Sequence, residues 1–394
     1  MQSTSLAPRL RSLDVYRGFV MLLMMGEVIS LGKVDQAVGD SAFWGFLHYN
    51  QSHVEWAGCS LHDMIQPSFS FLVGAAMPFS LASRINKGQG FGKMFGHVIV
   101  RSLILIFLGI FLRSMHAKST YFTFEDTLTQ IGLGYSFLFL VARCSVKMQV
   151  AALSVLLILY WLAFALYPLP GDDFNFVLAG TSREWEHNLS GFAAHWNKNT
   201  NLAWAFDQWF LNLFPREKVF RNNGGGYATL SFIPTLGTMI LGLLSGNLLK
   251  SPVASAVKIR KLLIIGSILL VISAALHFTG INPIVKRIWT PAWTLFSGGI
   301  CYYFLAFFYF TNDVKMKNTW SFPLMVIGMN SIAAYVMAET IARFIASSLQ
   351  IHLGPQYDTL FGLPYRTLVS GFLILSIQWF ILYRMYKKGV FIRI

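Results

Sequence analysis

Between Ser52 and Pro67 the chain reads S-H-V-E-W-A-G-C-S-L-H-D-M-I-Q-P, so His53, Glu55, His62 and Asp63 share one short polar stretch. A free histidine titrates near pH 6.5 and exchanges protons close to neutrality. His53 can therefore act as a general base on an amine or hydroxyl, or as a nucleophile that carries an acyl group. Glu55 and Asp63 can orient it or hold its protonated form, and Trp56 with Gly58 suggests a tight, aromatic-walled turn. Ser60 and Asp63 also fit a helix capping box, a role that does not exclude orienting a histidine.

Other candidates are scattered along apolar runs. Glu27 lies near the far end of the first run, where a carboxylate is costly and functional by default, and it could face His53 across a bundle. Asp14 and Arg17, three apart, share a helix face and form an ion pair at the interface, or Arg17 meets phosphates. Asn330, Ser331, Tyr335, Glu339 and Arg343 punctuate a late run, with Glu339 and Arg343 at salt-bridge spacing. Gly242 and Gly246 mark a close-packing helix face that permits a homodimer without requiring one. N-G-G-G-Y at 223–227 is a weak anion site. The histidines do not fall at metal-ligand spacing.

These residues must be positioned by membrane helices. The 394 residues are 55% hydrophobic and 12% charged, against about 25% charged in soluble domains. The net charge of +14 sits in short clusters between apolar runs, which points to lipid headgroups and excludes nucleic acid as the partner. Three isolated cysteines, Cys59, Cys144 and Cys301, give no disulfide framework. The N-terminus lacks a cleavage pattern, so the first run reads as a retained anchor. Crossing about 30 Å of hydrocarbon takes about 20 residues. Runs at 13–32, 62–83, 97–116, 126–143, 148–168, 228–249, 260–279, 291–311, 322–348 and 367–386 meet that length, about ten spans, with an eleventh element in 201–214 read as interfacial. With the N-terminus cytoplasmic, the inner loops hold Arg9, Arg11, Arg84, Lys87, Arg143, Lys147, Lys258, Arg260, Lys261, Lys387, Lys388 and Arg393, and the short outer loops hold few. Both termini are then cytoplasmic. His53 and the long segment 168–227, with Trp185, Trp196, Trp204 and Trp209, fall outside.

Four blocks, R-S-L-D-V-Y-R-G, W-A-G-C-S-L-H-D-M-I-Q-P-S-F-S-F-L-V-G, R-I-W-T-P-A-W-T-L-F-S-G-G and G-M-N-S-I-A-A-Y, occur in the order found in the transmembrane acyltransferases, and the chain resembles that family over most of its length. The resemblance implies a helical bundle that moves an acetyl group from acetyl-CoA across a membrane to the amine of a terminal glucosamine. His53, three residues before Trp56, matches the family's catalytic histidine, and Asp63 its following aspartate. Asp14 and Arg17 match D-x-x-R-G, Trp289, Thr290 and Pro291 match W-T-P, and Asn330 matches G-M-N. The chain departs from the pattern at Glu27, where the family has asparagine, at Ala292, where it has serine, and at Asn222 to Gly225, where it has D-P-E-G.

The expectation is an all-α polytopic integral membrane bundle, a single acyltransferase domain over 1–394 with an outer segment at 168–227. His53, Asp63 and Glu27 would be catalytic. Asp14, Arg17, Trp289, Thr290 and Asn330 would bind acetyl-CoA, with no metal. The acceptor, an amino sugar or cell-envelope glycan, would sit against the tryptophan-rich segment of a protein in the bacterial inner (cytoplasmic) membrane. The alternative is a transporter or flippase for a glycan or anionic metabolite, with Asp14, Arg17, Glu27 and Glu339 as pathway charges. Neither inverted repeats nor broken helices are visible in the sequence to favour it. A non-catalytic scaffold poorly explains His53 and Glu27 together.

Overall fold

The computed structural model describes residues 10–39 and 41–392. Arg9 and Arg393 of the loop-charge argument lie outside the described residues. The described chain is helical, with one isolated antiparallel bridge between Ala57 and Val285 in place of any strand. In order the helices are α1 (Arg11–Met25), α2 (Leu31–Val38), α3 (Ala42–Gln51), α4 (Ile65–Asn86), α5 (Phe91–Ser114), α6 (Thr127–Ala142), α7 (Val146–Ala165), α8 (Leu202–Phe210), α9 (Phe232–Lys250), α10 (Ser255–Phe278), α11 (Pro291–Tyr309), α12 (Phe322–Met329), α13 (Ser331–Thr340), α14 (Ala342–Leu353) and α15 (Arg366–Lys387).

This is a polytopic helical membrane protein. Among the described residues seven helices are long and apolar enough to cross a bilayer, or nine if each of two bent pairs forms one span. The apolar run at 126–143 becomes α6, only 16 residues and short for a span on its own. The run at 322–348 is not continuous: α12 and α13 meet at 83° at Asn330. The first run bends by 43° between Ile29 and Leu31. Residues 201–214 form the short α8 and a 3-10 turn, too short to cross.

Burial separates inner from outer helices. α9 is buried along 72% of its apolar window and α10 along 17%. Phe107, Phe111, Ile158, Leu159 and Val271 stay exposed on α5, α7 and α10, the pattern of side chains facing lipid. At the centre, α4 and α9 touch backbone to backbone. A Cβ at Gly74 would strike the Met239 carbonyl, and one at Gly242 or Gly246 would strike the carbonyls of Phe71 or Ala75. The glycine face that permitted a dimer is therefore occupied within the chain.

Capping fixes several helix starts. Asp313 accepts from the Arg11 and Ser12 amides at 3.0 Å each and so caps α1 from the end of the α11 segment. Asp126 caps α6, and Thr290 caps α11 with Pro291 in its first turn. Arg17 of α1 and Ile392, the last described residue, line a common cavity.

Candidate functional site

The stretch from Ser52 to Asp63 folds as a loop between α3 and a 3-10 turn, His62–Met64, that leads into α4. Its organising group is Asp63, 1% exposed, whose two oxygens do different work. Oδ2 accepts from the Ser60 amide at 3.1 Å, the Ser60 hydroxyl at 3.0 Å and the Val54 amide at 3.3 Å. The Asp63 amide donates back to Ser60 Oγ at 3.3 Å, which completes the capping box. Oδ1 meets His53 Nδ1 at 2.8 Å and Lys286 Nζ at 3.1 Å. Capping and holding a histidine are thus done by one carboxylate at once.

Lys286 Nζ also lies 3.0 Å from His53 Nδ1, closing a triangle of Asp63, His53 and Lys286. Nδ1 cannot donate to Asp63 and accept from Lys286 together, so the proton positions on the triangle set which His53 tautomer is present. Burial holds the His53 pKa below 6.5, opposed by the Asp63 hydrogen bond and aided by the Lys286 charge. Burial also lowers the Lys286 pKa, opposed by the Asp63 charge. His53 keeps 37% of its side chain accessible, so its ring can meet a ligand.

The triangle depends on a tight turn. Thr290 Oγ1 accepts from the Val285 and Trp293 amides and donates to the Pro283 carbonyl at 2.6 Å. Trp289 takes a left-handed φ of 50°, is fully buried and donates from Nε1 to Thr238 at 3.1 Å. Gly58 N–H bonds to the Ile284 carbonyl, and Arg287 reaches the Val54 and Gly225 carbonyls. The W-T-P block therefore fixes the turn that carries Lys286. Trp289 and Thr290 line neither of the two central cavities, contrary to the expectation that they hold a cofactor.

His53 and Lys286 border a cavity of about 510 Å³ together with Glu27, His62, Arg113, Glu125, Asp126, Asn223, Tyr335 and Glu339. Burial raises the pKa of both Glu125 and Asp126. Asn223 donates to Glu125 at 3.1 Å and accepts from the Gly225 amide, so the N-G-G-G-Y segment forms a polar wall here. Glu27 does not reach His53 in the way anticipated. Its Oε1 lies 3.3 Å from His62 Nε2, because the chain turns out of α1 into a 3-10 segment at Gly26. Glu55 is exposed. Glu339 and Arg343 fall on either side of the α13–α14 break, and Arg343 lies 3.5 Å from His116 instead.

A second cavity, about 400 Å³, is bordered by Arg17, Phe69, Ser80, Arg101, Tyr135, Met329, Ser331 and Ile392. Arg17 lies 3.2 Å from Asp14. Arg101 donates to the Tyr135 hydroxyl at 3.0 Å, and its buried Nε has no hydrogen-bond partner among the described residues. Asn330 is fully buried and clamps the Val390 carbonyl and Ile392 amide, so only its neighbours reach this cavity. The two cavities stack along α1, α4, α6 and α13. Met24, Gln66, Thr127 and Tyr335 border the first, and Arg17, Phe69, Leu128 and Ile332 the second.

The tryptophans of segment 168–227 build a cap instead of a binding face on the first cavity. Trp196 is buried, with its carbonyl accepting from Trp56 Nε1, Trp185 packs edge-on to Trp56, and Trp204 donates to the Arg221 carbonyl. None of them borders the His53 cavity. Lys286, Arg113, Glu125 and Asp126 were not singled out from sequence. Lys286 and Arg287 stand out there only as a basic pair in a short loop assigned to the outer side, against the charge bias. Among the described residues no group of histidine, cysteine and acidic side chains is placed to hold a metal.

A family profile described as a domain of unknown function (DUF5009) matches residues 9–204. Heparan-alpha-glucosaminide N-acetyltransferase of Homo sapiens is 22% identical across 99% of this chain, and the Mus musculus protein 21% across 99%. The chain spans about 61% of the length of these curated relatives. In its ordered motifs and along nearly its whole length, the chain resembles the heparan-alpha-glucosaminide N-acetyltransferase family.

Proposed function

We propose that the protein is a membrane-embedded acyltransferase that moves an acetyl group from acetyl-CoA to an amine on the opposite side of the bilayer. The stacking of the two cavities along α1, α4, α6 and α13 carries this reading. From Gln66 to Ser80 the shared α4 wall runs about 21 Å, long enough for an extended thioester arm. Arg17 and Arg101, with its unpartnered Nε, fit phosphates at the cytoplasmic end, and apolar Phe69, Leu128 and Ile131 fit the arm above them. Acetyl-CoA supplies a thioester carbonyl. At the outer end His53, oriented through Nδ1 by Asp63, offers Nε2 as base or acyl carrier. The acceptor is an amino sugar or related glycan bearing a primary amine, in a bacterial inner membrane.

The break at Asn330 is a feature shared with transporters, whose binding sites often use discontinuous helices. The two readings part on the thioester. Purified protein in detergent is given acetyl-CoA and glucosamine, and CoA release is followed in wild type and His53→Ala. Release that vanishes in the variant is expected. Binding of acetyl-CoA without release in the presence of any amine, together with uptake of unmodified solute into vesicles, favours the transporter.

A further inference from the structure

His62 takes no part in the reading above, yet it borders the same cavity as His53. The two ring centroids lie 4.6 Å apart with the planes at 50°. Each imidazole has its own carboxylate, Asp63 on Nδ1 of His53 and Glu27 on Nε2 of His62. With a proton on each nitrogen that faces a carboxylate, Nε2 on the first ring and Nδ1 on the second are the acceptors. Glu27 from the turn after α1 and the His53 ring lie against His62; Lys286, Arg113, Glu125, Asp126, Tyr335 and Glu339 border the same cavity, and Lys33 and His48 the recess beside it. His62 is 8% exposed, and with Glu27 it also borders an adjoining recess of about 450 Å³ beside His48 and Gln51.

Where His53 carries the acyl group, transfer to an amine makes a demand that this one histidine does not meet. The attacking nitrogen must lose a proton, and an imidazole acylated on Nε2 has no lone pair there to take it. We propose that His62, held by Glu27, is a second catalytic residue that receives the proton of the acceptor amine. This rests on the acyl-transfer reading. With the acetyl group on His53 Nε2 and the CoA thiolate already released, the amine nitrogen bonds to the acetyl carbon while that carbon's bond to His53 Nε2 breaks. The leaving group departs with the bonding pair, and the amine proton goes to His62 Nδ1. From there it passes to the thiolate or, through the adjoining recess, to water.

The test uses the full chain in detergent with acetyl-CoA and glucosamine, and compares wild type, His53→Ala, His62→Asn and Glu27→Gln. His62→Asn is expected to lower kcat by about a hundredfold or more with the KM for acetyl-CoA held. Added imidazoles should restore part of the rate, in the order of their basicity, which a packing role does not produce. A kcat within about threefold of wild type, or a loss that no imidazole relieves while acetyl-CoA still binds, overturns the proposal. Should His62→Asn not fold, Glu27→Gln tests the same pair. It keeps the side-chain shape, and a fall of about tenfold in kcat is expected. An unchanged kcat counts against His62. Steady-state CoA release that is lost in His53→Ala but stays at the wild-type rate in His62→Asn sinks the second base alone. No release by wild type with any amine sinks the acyl-transfer reading and His62 with it.

Discussion

Asp63 explains how a short polar stretch can both start a helix and hold a histidine in place. Oδ2 is consumed by the cap, and Oδ1 is left for His53 and Lys286. Asp63→Asn retains an oxygen for the cap but removes the charge that fixes the His53 tautomer. We expect kcat to fall by about 10²–10⁴ with acetyl-CoA binding intact, in line with other carboxylate–histidine pairs. The pH dependence distinguishes the neighbours. In the proposed reaction His53 is the neutral base, and its pKa lies below 6.5, so the rate should rise with pH along a limb below 6.5 and then level off. Asp63 raises that pKa and Lys286 lowers it. Removing the carboxylate should therefore move the limb to lower pH, and Lys286→Met should move it up toward 6.5. Steady-state profiles of kcat/KM check both signs. A limb that stays put in Lys286→Met means the lysine carries no charge there.

At the scale of elements, motifs that read as binding blocks also serve as joints. Trp289, Thr290 and Pro291 close a turn and start α11, and the reward is the placement of Lys286. Asn330 breaks a helix and holds the C-terminal residues. Spacing in sequence shows that these residues are special but not whether a ligand or a neighbouring backbone answers them, since either satisfies the same polar atoms. The glycines of α9 teach the same lesson. Gly-x-x-x-Gly spacing marks a close approach, and the partner is α4 of the same chain. Gly242→Ala should overpack that contact, cost about 1–3 kcal/mol and lower the melting temperature in detergent. Light scattering should show an unchanged oligomeric mass. A shift in mass with stability untouched would return the face to an interface between copies.

For the whole molecule, the proposed reaction asks how one bundle would serve reactants from two sides. The arrangement that answers it is a pair of cavities on shared helix walls, polar and acidic around His53, basic and apolar around Arg17 and Arg101. If the second holds the nucleotide end, Arg101→Ala should weaken acetyl-CoA binding by about ten- to a hundredfold, as expected for loss of a charged hydrogen bond. Calorimetry with acetyl-CoA and with CoA checks it. Equal affinity in wild type and variant places the nucleotide elsewhere. The membrane class, the helical fold, the approximate positions of the apolar runs and the pairing of His53 with Asp63 were legible in the chain itself. They rest on hydrophobic length, charge deficit and local spacing, which are properties of consecutive residues. The partner of Glu27, the place of Lys286 and Arg113, the break at Asn330 and the occupant of the α9 glycine face were decided only by tertiary structure. Each joins residues far apart in sequence, and which charges meet inside a bundle depends on helix rotation and on where helices bend.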